Sequence, residues 1–433
     1  MDHTIRHHAG TIESAQRHLP HEMVDNICGY LDVKHYPDKQ ALAACTLVCR
    51  HWHTSARAVL FERIIVPDIH RDFRNNIDTF GPFLESIHMN GQSRSIKHVI
   101  IAGNTWDPIR LTAHELSHYL AKLPALHTLE LWYVLLKLDS ANGCGCQDVG
   151  SSVSLEKLTI SSVKFEISIE GDVMECSLVE TLELFRNVKS LQLRAVQPAD
   201  DNGDGMVAFP QGATALITGP ISLRIAELKT MSGPQGATHT VVLSILQESC
   251  CLDELRKLEF WDTAQCFDGL APAISDTLED LLVSCSDMYD NGAEVIPSPY
   301  LGCFTRLSRL TISGTLYTMM SFSTEQGRNV RSRRFSSLID GVLDAPPTLS
   351  HLKIDIECDH YLPETMMDRL MFDWEALDQA LEDRTQLVRV IFGLEALRED
   401  SEADVELLRT YLSRCQAKGI LEIQTNMRKP RQA

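Results

Sequence analysis

From about residue 90 onward, one spacing of apolar positions keeps returning: apolar, two others, apolar, one other, apolar. It reads Ile96/Val99/Ile101, Leu126/Leu129/Leu131, Leu155/Leu158/Ile160, Val188/Leu191/Leu193 and Leu255/Leu258/Phe260. It continues as Leu278/Leu281/Val283, Leu307/Leu310/Ile312, Leu349/Leu352/Ile354 and Leu387/Val390/Phe392, with a weaker copy starting at Ile225/Leu228. Copies start about 23 to 42 residues apart, mostly near 30. The last two positions of each copy are two residues apart, so each copy predicts a short strand with one face inward. Helical spacing lies between some of the strands, at 113–122, 176–185, 240–248 and 374–381. One strand with one helix cannot bury its own apolar side, so neighbouring units must stack into a continuous core. The residues between the inward positions then form an outer row: Glu130, Trp132, Thr159, Gln192, Arg194, Glu259, Trp261, Thr311 and Lys353. Trp132 and Trp261 fall at the same repeat position and are candidate binding anchors, with Glu130 and Glu259 beside them. The alternative is that both rings tuck under adjacent loops.

The N-terminal stretch has another rhythm. Leu19-Pro20 opens a helical pattern carried by Met23, Val24, Ile27 and Leu31, with Glu22 and Asp25 in the first turn, where negative charge is favourable. Pro37 and Asp38 start a second helix. The run Ala41-Leu42-Ala43-Ala44-Cys45-Thr46-Leu47-Val48-Cys49 has a single polar residue, and a helix apolar all round must be buried all round. Yet the helical unit ends near Arg63, and domains of about 60 residues bury only about 60% of their unfolded surface. Such a unit needs a cover, which is either another chain or the rest of this one.

Charge sharpens the division. The 433 residues hold 40 basic and 59 acidic side chains, a net charge of −19, whereas residues 1–66 hold seven of each. The acidity argues against a nucleic-acid binder, which needs a basic footprint. No apolar run reaches the roughly 18–20 residues that span a bilayer. The first 17 residues lack the apolar core of a signal peptide, and thirteen cysteines scattered through apolar segments fit free buried thiols better than disulfides. A cytoplasmic or nuclear location is expected.

Three groups of N-terminal residues carry a resemblance. They are Leu19-Pro20-x-Glu22-Met23-Val24-x-x-Ile27-x-x-Tyr30-Leu31, then Leu42 through Leu47-Val48-Cys49-Arg50-His51-Trp52, then Ala56-Arg57-x-x-Leu60-Phe61. Together they resemble an F-box, most closely the version common in mushroom-forming fungi. The loop Asp32–Asp38 is slightly longer than usual. The resemblance implies three helices that dock on a Skp-type adaptor and, through it, a cullin. Leu19 and Pro20 would anchor one edge of that interface. Ile27, Leu31, Leu42 and Val48 would supply its core or the domain's own, and Trp52 would lock the third helix or reach the adaptor.

The recurring strand in turn resembles a leucine-rich repeat, a common second half of F-box proteins. A regular repeat places Asn three residues after its last leucine. Here that place holds Asn104 once, then Val134, Val163, Val196, Thr263, Thr315 and Glu357, so the turn must be made differently. The expected fold class is thus a three-helix F-box followed by an irregular leucine-rich-repeat-like α/β solenoid. The expected layout is a polar tail over 1–16, the F-box over 17–66, a connecting segment over 67–89, the repeats over 90–425 and a basic tail over 426–433. The segment from Trp374 onward is expected to cap the array.

Other motifs point elsewhere. His114-Glu115-Leu116-Ser117-His118 matches the H-E-x-x-H pattern of zinc hydrolases, but Leu116, Leu120 and Leu123 mark the buried stripe and place both histidines on the opposite face. Asp200-x-Asn202-x-Asp204-Gly205 has the start of a calcium loop, with Gln211 where the bidentate Glu belongs. Cys144-Gly145-Cys146 lacks a second cysteine pair, and Arg328, Arg331, Arg333 and Arg334 form a basic cluster that is either solvated or a dock for an acidic segment. The resulting expectation is a non-catalytic substrate receptor of a Skp–cullin–F-box ubiquitin ligase. It would bind an adaptor and a protein client, with no cofactor, metal, nucleic acid or membrane. The alternatives are a repeat scaffold with no ubiquitin role and, remotely, a zinc hydrolase through His114, Glu115 and His118.

Overall fold

The computed structural model describes residues 19–31, 36–66, 80–139, 153–170, 173–199, 221–231, 238–249, 251–261, 264–285, 301–315, 336, 338–357, 373–396 and 402–427. The calcium-loop pattern, the Cys144/Cys146 pair, the arginine cluster and the two expected tails, except Asn426 and Met427, lie outside them.

Three helices come first: α1 (His21–Gly29), α2 (Tyr36–Cys45) and α3 (Arg50–Leu60). Strand β1 (Arg63–Val66) and helix α4 (Phe80–Met89) follow. Next are β2 (His98–Ala102), β3 (Ile109–Thr112), α5 (Ala113–Leu120), β4 (Thr128–Trp132) and β5 (Val134–Lys137). Then come β6 (Val153–Ser161), β7 (Lys164–Phe165), the hairpin strands β8 (Ile167–Glu170) and β9 (Val173–Cys176), α6 (Ser177–Glu183), β10 (Phe185–Arg194) and β11 (Gln197–Pro198). The chain goes on through β12 (Arg224–Met231), α7 (Thr238–Glu248), β13 (Lys257–Trp261), α8 (Ala264–Ile274), β14 (Asp280–Cys285), β15 (Arg309–Thr315) and β16 (His351–Glu357). It closes with α9 (Trp374–Asp383), β17 (Arg389–Ala396), α10 (Glu402–Tyr411), α11 (Ser413–Ala417) and β18 (Leu421–Met427).

Twelve of these strands form one parallel sheet in the order β1-β2-β4-β6-β10-β12-β13-β14-β15-β16-β17-β18, so each strand sits beside the next main strand along the chain. The expected repeat positions are in register. Leu129 faces Leu158, Leu158 faces Leu191, Leu191 faces Leu228 and Leu228 faces Leu258 across successive strands. These residues share one buried cluster with helix residues such as Leu84, Leu116, Leu182, Leu246, Leu270 and Leu377. One face of the sheet therefore packs on the helices. Its open face carries ion pairs instead, including Arg309–Asp280 at 3.2 Å and Lys353–Asp355 at 2.6 Å. Exposed pairs of this kind contribute little each but leave few stray charges.

The turn that lacks asparagine is made by a left-handed residue. Tyr133 (φ 51°), Ser162 (φ 53°) and Ala195 (φ 48°) each follow the last residue of a main strand. Behind each comes a fully buried valine, Val134, Val163 or Val196, which plugs the corner. The short strands β5, β7 and β11 start just after these corners and, with β3, form their own parallel sheet in the order β11-β7-β5-β3. The corners are laddered. The N–H groups of Gly103, Tyr133, Ser162 and Ala195 donate to the carbonyls of Trp132, Ser161, Arg194 and Met231 at 2.7–3.1 Å.

The structure shows where the helical unit gives way to the sheet. Strand β1 lies within the expected F-box span but pairs with β2, and α4, within the expected connector, buries Phe80, Leu84 and Ile87 in the main cluster. The helical unit therefore ends near Glu62. The described part of the segment after Trp374 forms the last units of the array. Strands β17 and β18 extend the sheet, and buried Asp378 of α9 accepts from the Arg414 and Cys415 N–H groups at 2.9 and 3.1 Å, tying α11 in place.

One inward position breaks the apolar pattern. Thr230 stands in register with Leu193 and Phe260, is fully buried, and its hydroxyl finds no partner among the described residues. An unsatisfied buried hydroxyl costs about 1–3 kcal/mol. Thr230→Val keeps the shape and is expected to raise stability by about 1 kcal/mol, read as a higher urea midpoint.

Candidate functional site

The three N-terminal helices enclose a second, separate cluster of only four buried residues: Val24, Cys28, Leu42 and Ala56. Leu31, Cys45, Trp52, Val59 and Leu60 pack against it while partly exposed. Burial raises the Cys28 thiol above its ordinary pKa, with Cys45 and Asp25 adding to the effect. Polar ties hold the helices together. Ser55 Oγ donates to Asp25 Oδ1 at 2.5 Å, joining α3 to α1, and His53 Nδ1 lies 2.9 Å from the Thr46 carbonyl.

The helical spacing of α1 explains what is left outside. Val24 and Cys28 point to the cluster, while Leu19 (45% exposed), Met23 (49%), Ile27 (40%) and Tyr30 form a neighbouring stripe that nothing in the described chain covers. The turn after α2 adds Leu47 (86% exposed) and Val48 (64%). Of the apolar run 41–49 only Leu42 is fully buried, because the bundle has too few elements to surround it. An exposed apolar area of this kind marks an interaction surface.

The sequence candidates divide accordingly. Leu19, Pro20, Ile27 and Val48 are exposed. Leu31 and Trp52 pack on the cluster with part of their surface free. Leu42 takes the second of its two expected roles and lies in the bundle's own core. Met23, Tyr30 and Leu47 were not among the sequence candidates and are exposed beside them, Met23 continuing the i, i+4 spacing from Leu19 to Ile27.

The bundle is joined to the sheet without a linker. Helix α3 passes through Phe61-Glu62 straight into β1, and the Glu62 carbonyl accepts from Lys97 and His98 N–H at 3.0 and 2.9 Å. Arg57 of α3 reaches across to Gln92 Oε1 at 2.7 Å.

On the open sheet face, Trp132 is 39% exposed, and Trp261 is part-buried with Lys229 Nζ 5.6 Å from its ring centre. The two glutamates are already ion-paired within the sheet. Glu130 lies 2.8 Å from His98 Nε2, a hydrogen bond that holds its carboxyl below the usual range. Glu259 lies 2.7 Å from Lys229 Nζ and 3.2 Å from Lys257 Nζ. Burial would raise its pKa, but the two lysines outweigh that and lower it.

The zinc pattern serves another purpose. Thr112 caps α5, its Oγ1 accepting from Glu115 N–H at 3.2 Å, while Glu115 Oε2 accepts from Thr112 N–H at 2.9 Å. The would-be base is thus half of a capping box. His118 Nε2 sits 2.7 Å from the Lys122 ammonium, which would repel a cation there. No group of three metal-ligating side chains occurs among the described residues. Among the described residues, His114, Glu115 and His118 have no third ligand that would complete a zinc site.

Residues 16–66 match the family model described as F-box-like. No curated protein matches the chain. F-box domains bind Skp-type adaptors, and proteins that carry them are typically non-catalytic. The domain suggests, in general terms, an adaptor or substrate-receptor role in a ubiquitin ligase.

Proposed function

We propose that this chain is the substrate-recognition subunit of a Skp–cullin–F-box ubiquitin ligase. The helices α1–α3 take the adaptor, the sheet takes a protein client, and the transfer chemistry belongs to other subunits. One observation carries the reading: the bundle packs on four buried residues yet leaves Leu19, Met23, Ile27, Leu47 and Val48 in water. A usual interface covers about 800 Å² on each partner, which is the scale of cover this face lacks. We further read the twelve-stranded array as an irregular leucine-rich-repeat solenoid, supported by its sequential parallel strands and its helices on one face. The direct passage from α3 into β1 supports a receptor role. A client held on the sheet would stand at a fixed place relative to the adaptor, and so at high effective concentration for transfer.

Alanine at both Leu19 and Pro20 tests the reading on exposed residues. Adaptor affinity is expected to fall about tenfold or more, as at truncated interface anchors, with the sheet unit still folded. Calorimetric titration against the adaptor reads this, and an unchanged affinity would count against the assignment.

A further inference from the structure

Charge is not shared out evenly over the open face. From β12 to β18 the outward side chains pair with one another: Glu259 with Lys229 and Lys257, Asp280 with Arg309, Asp355 with Lys353, Glu422 with Arg389. The neighbouring strands β6 and β10 differ. Between their buried Leu158, Ile160, Leu191 and Leu193, the outward positions hold Lys157, Thr159 and Ser161 on β6 and Ser190, Gln192 and Arg194 on β10. That is two cations and no acid. Neither cation has an ion-pair or side-chain hydrogen-bond partner among the described residues. Two carboxylates lie close by in the fold, and each is engaged elsewhere: Glu130 by His98 at 2.8 Å and Glu156 by His127 at 3.7 Å. In a chain of net charge −19, two unmatched cations on adjacent strands form a local exception that an acidic partner would find.

Their spacing decides what fits. Lys157 faces Ser190 in the register, and Arg194 faces Ser161, so the cations stand one strand and four residues apart. At about 3.3 Å per residue and about 4.8 Å between strands, that is about 14 Å. An extended peptide covers this distance in about four residues, and side chains an even number of residues apart point the same way. Acidic residues at i and i+4 would therefore both face the sheet, one at each cation. Between the two ends, Ser161, Ser190 and Gln192 are part-exposed and offer hydroxyl and amide groups to a peptide backbone. One cation at each end balances one carboxylate. A phosphate carries a charge of about −1.5 to −2, which a single cation would leave half matched.

We propose that the open face of β6 and β10 docks an extended acidic client segment of the pattern acid-x-x-x-acid, with its two carboxylates on Lys157 and Arg194. This rests on the reading of the chain as a client receptor.

The test uses the full chain with its adaptor and fluorescent nine-residue probes, capped at both ends and uncharged apart from two glutamates. Anisotropy is read at about 0.1 M salt, where charges more than about 10 Å apart are screened. The probe with glutamates four apart is expected to bind. Its double-Gln twin should bind about tenfold more weakly, and a twin with glutamates three apart, which face opposite ways, about threefold more weakly. Arg194 is exposed, so Arg194→Glu should keep the parent's melt and weaken the probe about tenfold. Lys157→Gln should weaken it about threefold. Arg309→Gln removes a cation from the paired part of the face and should leave the probe's affinity as it was. The proposal is overturned by any of four results: no binding of the probe at about 1 mM, equal binding by Arg194→Glu, as large a loss in Arg309→Gln as in Arg194→Glu, or a phosphoserine peptide or single-stranded RNA binding about tenfold tighter than the probe. Adaptor affinity is measured in parallel. If the adaptor fails to bind the unaltered chain while the probes behave as stated, the receptor reading falls and the peptide site stands.

Discussion

Aspartate at both Leu47 and Val48 is expected to abolish capture of a Skp-type adaptor without moving the melting temperature. Both side chains stand in water in the free chain, so charge there costs nothing in the folded state. In a docked complex the same charges would be desolvated without partners, a cost of several kcal/mol. At 1.4 kcal/mol per factor of ten, the affinity loss is about 100-fold or more. Leu42→Ala provides the contrast. Leu42 is one of the four residues that form the bundle's core, and truncating a buried leucine costs about 2–5 kcal/mol. So small a core has little to spare, and this variant should lose adaptor binding by melting α1–α3. Circular dichroism and an adaptor titration on both proteins separate the two causes. If the double aspartate variant still binds with unaltered affinity, the exposed stripe is not the docking face and the functional reading fails with it.

The same contrast shows how far the sequence could be read. The inward leucines announced their strands because alternation in a strand is local, and the cluster joining Leu129, Leu158, Leu191 and Leu258 follows from that spacing. The end strands β1 and β18 were missed. Each offers two inward apolar residues, Ile64 and Val66 or Leu421 and Ile423, too short a signal beside the neighbouring helices. The corners were hidden for another reason. Tyr133, Ser162 and Ala195 are poor markers of a left-handed turn, and only the stacking of neighbours holds them there. At the candidate site, the apolar run 41–49 was legible but its exposure was not, since burial depends on how many other elements are present. Arg194 and Glu259 looked alike as outer-row charges. Their difference comes from sheet register, which sets Lys229 beside Glu259 and a serine and a methionine beside Arg194.

The corner ladder yields the second large expected effect. Gly103 aligns with Tyr133 at the first corner, because Ala102 faces Trp132 in the register. A Cβ added at Gly103 would stand 2.3 Å from the Tyr133 carbonyl oxygen and 2.7 Å from the Ile109 nitrogen. Both are backbone atoms fixed by hydrogen bonds, Gly103 N–H to the Trp132 carbonyl at 2.8 Å and Ile109 N–H to the Tyr133 carbonyl at 3.2 Å. Neither can retreat without opening the ladder, so Gly103→Ala is expected to cost about 3 kcal/mol, the upper part of the overpacking range. Ala195→Gly should behave oppositely. It relieves a left-handed conformation that costs an L-residue about 1–2 kcal/mol, while glycine's greater freedom in the unfolded chain returns about 0.5–1 kcal/mol. The net change is near zero or slightly stabilising. Urea midpoints of the two variants measure the difference, and a Gly103→Ala protein as stable as the parent would show that the corner is not closely packed. The consequence is confined to the sheet, because this corner sets the position of Trp132 at the end of β4. Adaptor capture, which depends on α1–α3 and their separate core, should stay as it was in Gly103→Ala.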